Sequence, residues 1–352
     1  MKLKLLLFLP LLPGLTASAQ QAAPAKASLP DWLPSVSGVV RAKAEWQTGE
    51  GEARFEVRNA RIALNGQLLP ALSYKAEIDL SDEGNIKMLD AFGEVRPFAF
   101  HDAKSTVPLR LRIGQFRVPF SIDAHRSPYE QYFANRSFIA KQVGDVRDVG
   151  LMAAWRFGTA APLTLQAGAF NGSGLTGQKN YWTKSFNFSA KAEWVLPFGL
   201  TLEASVQKVS PTGGSVFLYD GGAGFRRGRW TLEAEYLRKH YTRADFKDVN
   251  AFDAFAAFDI PLRKTLRKIS LRGRYDAMSD HSSGSLNEQG RLQVDDVARQ
   301  RITLGPTFCF DTGHKKTAAE LRLNYEKYFY DDISRAKASE RDKLVLELMV
   351  HF

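Results

Sequence analysis

The sequence predicts an all-β fold, a transmembrane antiparallel β-barrel of about sixteen strands, on three observations. Apolar and polar residues alternate with a period of two from residue 36 to the last residue, which places them on opposite faces of a sheet. The alternating segments run about ten to twelve residues, enough for a tilted strand to cross lipid and longer than the roughly five or six usual in globular sheets. The apolar flanks are continuous and end in aromatics, whereas the polar flanks carry full charges at consecutive positions, the pattern of a barrel with an oily outside and a wet inside.

The chain opens on a targeting pattern. Lys2 and Lys4 precede the apolar run Leu5 to Leu15, broken by Pro10, Pro13 and Gly14, and Ala17-Ser18-Ala19 follows as a small-x-small cleavage site. The run is too short to span a bilayer, which takes roughly 20 residues. Residues 1–19 are therefore expected to be a cleaved signal peptide, 20–35 a flexible lead-in rich in Ala, Pro and Gln, and 36–352 one barrel domain. Charges interrupt every later apolar run, so a closed barrel is the remaining way for the backbone to satisfy itself in lipid.

The composition excludes several classes. Without Lys2 and Lys4, 46 basic side chains face 38 acidic ones, a net charge of +8. The excess is interleaved with acids rather than clustered, which suits a positive internal field and not a nucleic-acid groove. Cys309 is the only cysteine, so neither a disulfide framework nor a thiolate metal site is expected.

The strands follow in order. In 36–47, Val40, Ala42, Ala44 and Trp46 oppose Arg41, Lys43, Glu45 and Gln47. Strands at 54–65, 69–80, 88–97, 108–117, 147–158 and 162–171 come next. In 185–196, Phe186, Phe188, Ala190, Ala192, Trp194 and Leu196 oppose Asn187, Ser189, Lys191 and Glu193; in 199–209, Leu200, Leu202, Ala204 and Val206 oppose Thr201, Glu203, Ser205 and Gln207. Strands at 215–225, 229–240 and 250–260 precede 267–278, where Ile269, Leu271, Gly273, Tyr275 and Ala277 oppose Ser270, Arg272, Arg274 and Asp276. The set closes with 299–310, 317–328 and 341–352, the last with Leu344, Leu346, Leu348, Val350 and Phe352 on one face. Trp46, Tyr74, Trp155, Trp194, Trp230, Tyr275 and Phe308 are expected in the interfacial girdles.

The connections alternate in length as a barrel requires. With a periplasmic N-terminus, the inner turns fall around Asn65-Gly66, 159–161, Pro197-Phe198 and 226–228, with 98–107 as a longer exception. The long connections 118–146, 172–184, 279–298 and 329–340 all fall on the outer side. The third outer loop, 118–146, is the longest and carries Pro119, Arg126, Pro128, Tyr129, Tyr132, Arg136 and Lys141. Loops of this length are usually functional; folding into the lumen is one use, and an exposed surface loop is the alternative.

Three segments carry a resemblance. Arg58-Asn59-Ala60-Arg61 within Phe55–Gly66, Leu89-Asp90-Ala91-Phe92, and Gly114-Gln115-Phe116-Arg117-Val118-Pro119-Phe120 resemble the phosphate-selective porin O and P family. The terminal strand ending in Phe352 resembles the assembly signature of outer-membrane barrels. The resemblance implies a sixteen-stranded barrel, commonly trimeric, with a basic lumen that passes anions. It also implies that Arg58, and Arg126 or Arg136 in the inward-folded loop, line the narrowest zone. The family's better-known members carry paired arginines where this chain reads Arg58-Asn59, which sets phosphate selectivity apart from the rest of the expectation. Arg58 and Arg61 have opposite parity, so both face the lumen only if a bulge intervenes.

Parity places Arg41, Lys43, Lys75, Arg110, Arg112, Arg156, Lys191, Arg272, Arg274, Arg301 and Arg322 on the inner face, with Glu45, Glu77, Asp79, Glu193, Glu203, Glu233 and Glu320. The plain reading is cross-strand neutralisation; a cation excess left over would favour anions. Arg58, Arg126, Arg136, Arg41, Lys43, Lys75, Arg110, Arg112, Arg272 and Arg274 are the pore-lining and constriction candidates. No catalytic, cofactor or metal residues are expected. The expected partners are small anionic or hydrophilic solutes, outer-membrane lipid and two further copies of the chain, with no nucleic acid.

Other motifs carry less. Gly172-Ser173-Gly174-Leu175-Thr176-Gly177 matches a dinucleotide fingerprint in letters, but no helix pattern follows to receive a pyrophosphate; a Gly-rich outer loop explains it. Gly221-Gly222-Ala223-Gly224 reads as a bend or bulge within a strand. His101, His125, His240, His281, His314 and His351 are scattered, none at metal-ligand spacing. Two other classes compete with a passive channel. A barrel enzyme of the phospholipase or protease kind would need a rim nucleophile, with His240 or His125 as its base. A soluble periplasmic β-sandwich would bury the apolar faces within protein.

Overall fold

A computed structural model describes residues 33–102, 107–142, 147–175, 177–210, 215–242, 248–281, 288, 296–314 and 316–352. The expected signal at 1–19, most of the lead-in at 20–35 and most of loop 279–298 lie outside them.

The alternating segments become sixteen strands: β1 (Ser35–Gln47), β2 (Ala53–Leu69), β3 (Leu72–Asp82), β4 (Asn85–Val95), β5 (Arg110–Arg117), β6 (Arg147–Phe157), β7 (Leu163–Phe170), β8 (Asn187–Val195), β9 (Leu200–Val209), β10 (Val216–Arg227), β11 (Trp230–Tyr241), β12 (Val249–Pro261), β13 (Leu266–Met278), β14 (Arg299–Phe310), β15 (Ala318–Tyr330) and β16 (Lys343–His351). Each pairs antiparallel with its neighbours in sequence, and β16 pairs with β1 to close the ring. Closure leaves no row of unpaired backbone groups facing lipid, where each would cost several kcal/mol. The seam is completed by reciprocal bonds between Gly38 and Phe352, at 2.7 and 3.0 Å.

The period of two sorts the side chains as a barrel requires. On β16, Leu346 is 45% exposed and its neighbour Glu347 is 0% exposed, so the apolar flank points out and the ionic flank in. Trp46 and Tyr275 sit toward the loop end of the outer face, while Tyr74, Trp155, Trp194, Trp230 and Phe308 sit toward the end carrying both termini. Trp230 packs on Phe258 with ring centroids 4.8 Å apart. Tyr and Trp suit such interfaces because one end is apolar and the other wet.

Three details differ from the sequence reading or complete it. The turn expected at Asn65-Gly66 lies instead at residues 70–71, because β2 runs on to Leu69. Gly66 pairs with Tyr74, and a Cβ at Gly66 would meet the Tyr74 ring at 2.3 Å. The glycine therefore receives an aromatic ring inside the sheet and does not form a hairpin. The bend expected at Gly221–Gly224 is absent: these residues pair in unbroken register with both β9 and β11. A bulge does occur at Arg58, where Arg41 faces Asn59 and Ala42 faces Val57. It restores Arg58 and Arg61 to one face.

The inner face is not wholly polar. Val216, Leu218, Leu237, Val249, Ala251 and Met278 are buried inward and form an apolar cluster with Phe116, Val118, Phe120, Phe138 and Ile139. The last four of these residues belong to the segment after β5, which includes the one-turn helix α1 (Ile139–Gln142). Burial of Phe138 and Ile139, both 0% exposed, stabilises this docking by roughly 1.5–3 kcal/mol each.

Candidate functional site

The described part of the third outer connection, residues 118–142, bonds to opposite walls of the ring. On one side, the Ser189 hydroxyl donates to the Pro119 carbonyl at 2.7 Å and Lys191 to the Ser121 carbonyl at 2.9 Å. Glu235 then accepts from the Ser121 hydroxyl at 2.5 Å and from the backbone N–H groups of Ile122 and Asp123 at 2.7 and 3.1 Å. On the other side, Arg41 donates to the Gln131 amide oxygen and to the Ala134 carbonyl at 2.7 Å. The Ala134 N–H donates to Asn324 at 3.0 Å, and Asn135 reaches Glu45 at 3.1 Å and Glu326 at 3.0 Å. Arg272, Arg274 and Arg301 donate to the carbonyls of Tyr132, Asn135 and Arg136. A segment tied to β8, β11, β13, β14, β15 and β1 at once must run through the barrel interior.

The sequence favours this course locally. Pro119 and Pro128 remove two N–H donors and stiffen the chain. Ser127 and Glu130 form a capping box, with the Ser127 N–H donating to Glu130 at 2.9 Å, which satisfies a turn that has no sheet partner.

Most of the basic candidates are occupied in holding wall and loop. Arg41 pairs with Glu347 at 2.6 Å, and Lys43 with Glu45 at 2.9 Å. Lys75 pairs with Glu77 at 2.5 Å and Asp90 at 2.7 Å; Arg112 pairs with Glu94 at 2.6 Å and lies over the Phe92 ring at 4.2 Å. Arg110, half exposed, approaches Glu94 at 3.8 Å. Arg272 packs on Tyr132 and reaches Glu320 at 4.0 Å, and Arg274 sits over Phe133 and reaches Asp253 at 3.7 Å. Within the loop, Arg126 pairs with Glu233 at 2.6 Å and Asp123 at 3.4 Å. Burial alone lowers its guanidinium, but Glu233 and Asp123 overcome this and hold it above its ordinary value.

Two candidates are held differently. Arg136 donates to the carbonyls of Asp123, Ala124 and Arg126 at 3.0, 3.1 and 3.1 Å, and forms no ion pair among the described residues. Burial is the main force that pushes it down to about 10; Asp123 opposes this, and Arg61, Arg41 and Arg58 add to it. It is cationic at pH 7. Arg58 has a half-exposed side chain and meets Glu56 at 3.6 Å.

These two converge with four further basic side chains. An outer cavity of about 1040 Å³ is lined by Arg41, Arg54, Arg58, Arg61, Lys87 and Arg136, with Glu56, Asp79, Asp82 and Glu83 as its acids. Arg61 pairs with Asp79 at 2.8 Å and Glu77 at 3.4 Å. It also lines a smaller pocket of about 160 Å³ on the inner side, with Lys75, Glu77, Tyr129 and His351. Arg61 thus stands between the outer and inner spaces, where the sequence reading had not placed it among its candidates. The signal that could have found it was the bulge at Arg58.

His125 is enclosed within the threaded segment beside Arg117, which donates to its carbonyl at 2.5 Å. Burial, then Lys191, Arg117, Arg112 and Arg147, push its imidazole well below the ordinary value, so it is neutral. The Gly172–Gly177 segment lies in the β7–β8 connection with left-handed backbone at Gly172, Gly174 and Gly177. No group of three metal-ligating side chains occurs among the described residues.

The sequence model of the phosphate-selective porin O and P family matches residues 38–220. No curated protein matches the chain. Among solved structures, OmpF of Salmonella typhi in complex with daunomycin superposes with a TM-score of 0.60 at 13% identity, over 92% of this chain and 98% of that one. The trimer form of OmpT, an outer-membrane protein of Vibrio cholerae, gives 0.57 at 11% identity, over 91% and 98%. The outer-membrane channel DcaP of Acinetobacter baumannii gives 0.56 at 13% identity, over 91% and 96%. At these identities the likeness is one of fold.

Proposed function

The chain belongs to the phosphate-selective porin O and P family, and from that premise we propose that this outer-membrane porin prefers small anions, phosphate among them. The observation that carries the reading is the outer cavity, in which six basic side chains, Arg58, Arg61 and Arg136 among them, face four acidic ones. Arg136 and Arg58 are the groups least committed to carboxylates, so their field remains for a passing solute. Carbonyl-anchored and loosely paired guanidiniums offer an anion replacement for its hydration without holding it fast. Arg61, shared by the outer cavity and the inner pocket, is the throat in this reading, and the loop at 118–142 narrows the lumen onto it. Arg41, Lys43, Lys75, Arg110, Arg112, Arg126, Arg272 and Arg274 are wall and loop supports that also raise the local potential.

Arg58-Asn59 leaves one guanidinium where relatives carry two, which argues for a general anion preference above strict phosphate selection. Transport is passive and needs no cofactor or catalytic group. Residues 1–19 direct export and are removed, and the mature barrel assembles as a homotrimer, as the trimer form of OmpT does. Reversal potentials in a potassium chloride gradient across a planar bilayer test the proposal. Chloride preference is the expected result, reduced by Arg58→Gln and by Arg136→Gln. Cation preference in the unmodified channel overturns it.

A further inference from the structure

The two hairpins that join β10 to β11 and β12 to β13 lie side by side at the end carrying both termini, with the Asp259 N–H donating to the Arg229 carbonyl at 2.9 Å. Short turns place this end in the periplasm. Residues 226–229 and 262–268 contain seven basic side chains and no acid. Without Lys2 and Lys4 the chain has 46 basic groups against 38 acidic ones, and removing these seven leaves 39 against 38. Almost the whole cationic excess therefore sits on one arc of the rim. The turns at 70–71, 158–162 and 196–199 on the same end carry no charge.

Two of the seven are committed. Arg226 donates to the Tyr132 hydroxyl, and Lys268 pairs with Asp259 at 2.5 Å. Arg227, Arg229, Arg263, Lys264 and Arg267 are exposed, and their side chains form no ion pair or hydrogen bond among the described residues. None of the five lines the outer cavity or the small pocket beside Arg61, so a solute in those spaces does not explain them. A separate observation fixes their level against the lipid. Arg227 pairs in register with Trp230, so both project from the outer face, and Trp230 packs on Phe258 in the aromatic girdle. Leu262, 37% exposed, adjoins Arg263 and Lys264 in the second hairpin. Cations at girdle height, interleaved with exposed apolar side chains, meet phospholipid headgroups: their stems cover apolar surface while the charged ends reach phosphate. A guanidinium matches phosphate with two parallel hydrogen bonds. Gathering five like charges without counter-ions costs energy, and anionic headgroups remove that cost.

We propose that these hairpins bind anionic phospholipid headgroups of the periplasmic leaflet. The proposal depends on the barrel and its membrane, not on which solute the channel passes. The test is retention of spin-labelled phosphatidylglycerol and spin-labelled phosphatidylcholine at the surface of the full barrel, reconstituted in phosphatidylcholine vesicles. Phosphatidylglycerol is expected to be held about fivefold more strongly at low salt. The ratio is expected to fall toward one at about 1 M salt, as screening contracts to about 3 Å. The combined substitutions Arg227→Gln, Arg263→Gln, Lys264→Gln and Arg267→Gln also bring it toward one. Arg238→Gln, toward the opposite end of β11, leaves it unchanged. Equal retention of the two lipids by the unmodified barrel overturns the proposal, and is the outcome if an acidic periplasmic protein is the occupant instead. A ratio insensitive to salt or to the combined variant, or one abolished by Arg238→Gln, overturns it as well. The salt comparison in the unmodified barrel decides even if the variant does not fold.

Discussion

The outer cavity and a pocket of about 470 Å³ lined by β8, β9, β10 and β11 are built from the same barrel by opposite means. In the outer cavity, arginines outnumber carboxylates, and Arg136 is held by backbone carbonyls alone. In the pocket on β8–β11, Glu193, Glu203 and Glu233 line the space with Arg226, and the Glu193 carboxylate makes no ion pair or hydrogen bond among the described residues. What separates them is the loop, which sends Arg126 to Glu233 on the acidic wall and the carbonyls of Tyr132, Ala134, Asn135 and Arg136 to arginines on the other. A net charge of +10 therefore describes neither space. The lesson is that the sign of a lumen is set by which charges the loop neutralises, more than by how many the strands supply.

The largest expected effect comes from removing the anchor on the acidic wall. Glu235→Ala strands the Ser121 hydroxyl and two backbone N–H groups, at a cost of about 2–5 kcal/mol. The loop is expected to leave the lumen, seen as a severalfold rise in single-channel conductance and new protease cleavage within 118–142. Unchanged conductance would mean that Glu235 does not hold the partition. Arg61→Glu comes next. It puts an acid where the outer cavity meets the smaller pocket beside Lys75 and Glu77, and chloride preference is expected to invert in reversal-potential measurements; an unaltered preference removes Arg61 from the throat.

A smaller effect follows from pH. Arg136 lies at about 10, below its ordinary value, chiefly through burial. Its charge is complete at pH 7 and is lost as pH rises through about 10. Anion preference is expected to fall over that interval, and Arg136→Gln to start lower and show no such step. Identical pH profiles for the two proteins would show that Arg136 does not contribute. The smallest effect is that of salt. Screening contracts from about 10 Å at 0.1 M to about 3 Å at 1 M, so anion preference should weaken over this range while the loop, tied by buried contacts, stays in place.

The strands were legible because lipid imposes a strict period of two, and β14 agrees at both ends with its expected span of 299–310. What parity misread were positions where a neighbour outweighed local propensity. Asn65-Gly66 carries a hairpin signature, but Tyr74 covers Gly66 from the next strand, and no single-strand pattern records that. Leu218 and Leu237 point inward to meet the loop, although apolar positions were expected outside. The site was half legible. Residue type located the arginines, but which are neutralised depends on cross-strand register and on the path of the loop. Arg41 illustrates this. By parity it is a pore-lining cation; in the fold it is 1% exposed, bound to Glu347, Gln131 and Ala134.

That guanidinium also bears on assembly. Arg41 comes from the first strand, Glu347 from the last, and the Ala134 carbonyl from the segment threaded between them. Until the final strand is in place, Arg41 lacks its counter-ion, and the threaded segment lacks a neutralised clasp. Sealing the ring and seating its internal partition are thus thermodynamically linked, so a precursor stalled before its last few residues is left both unsealed and without its filter.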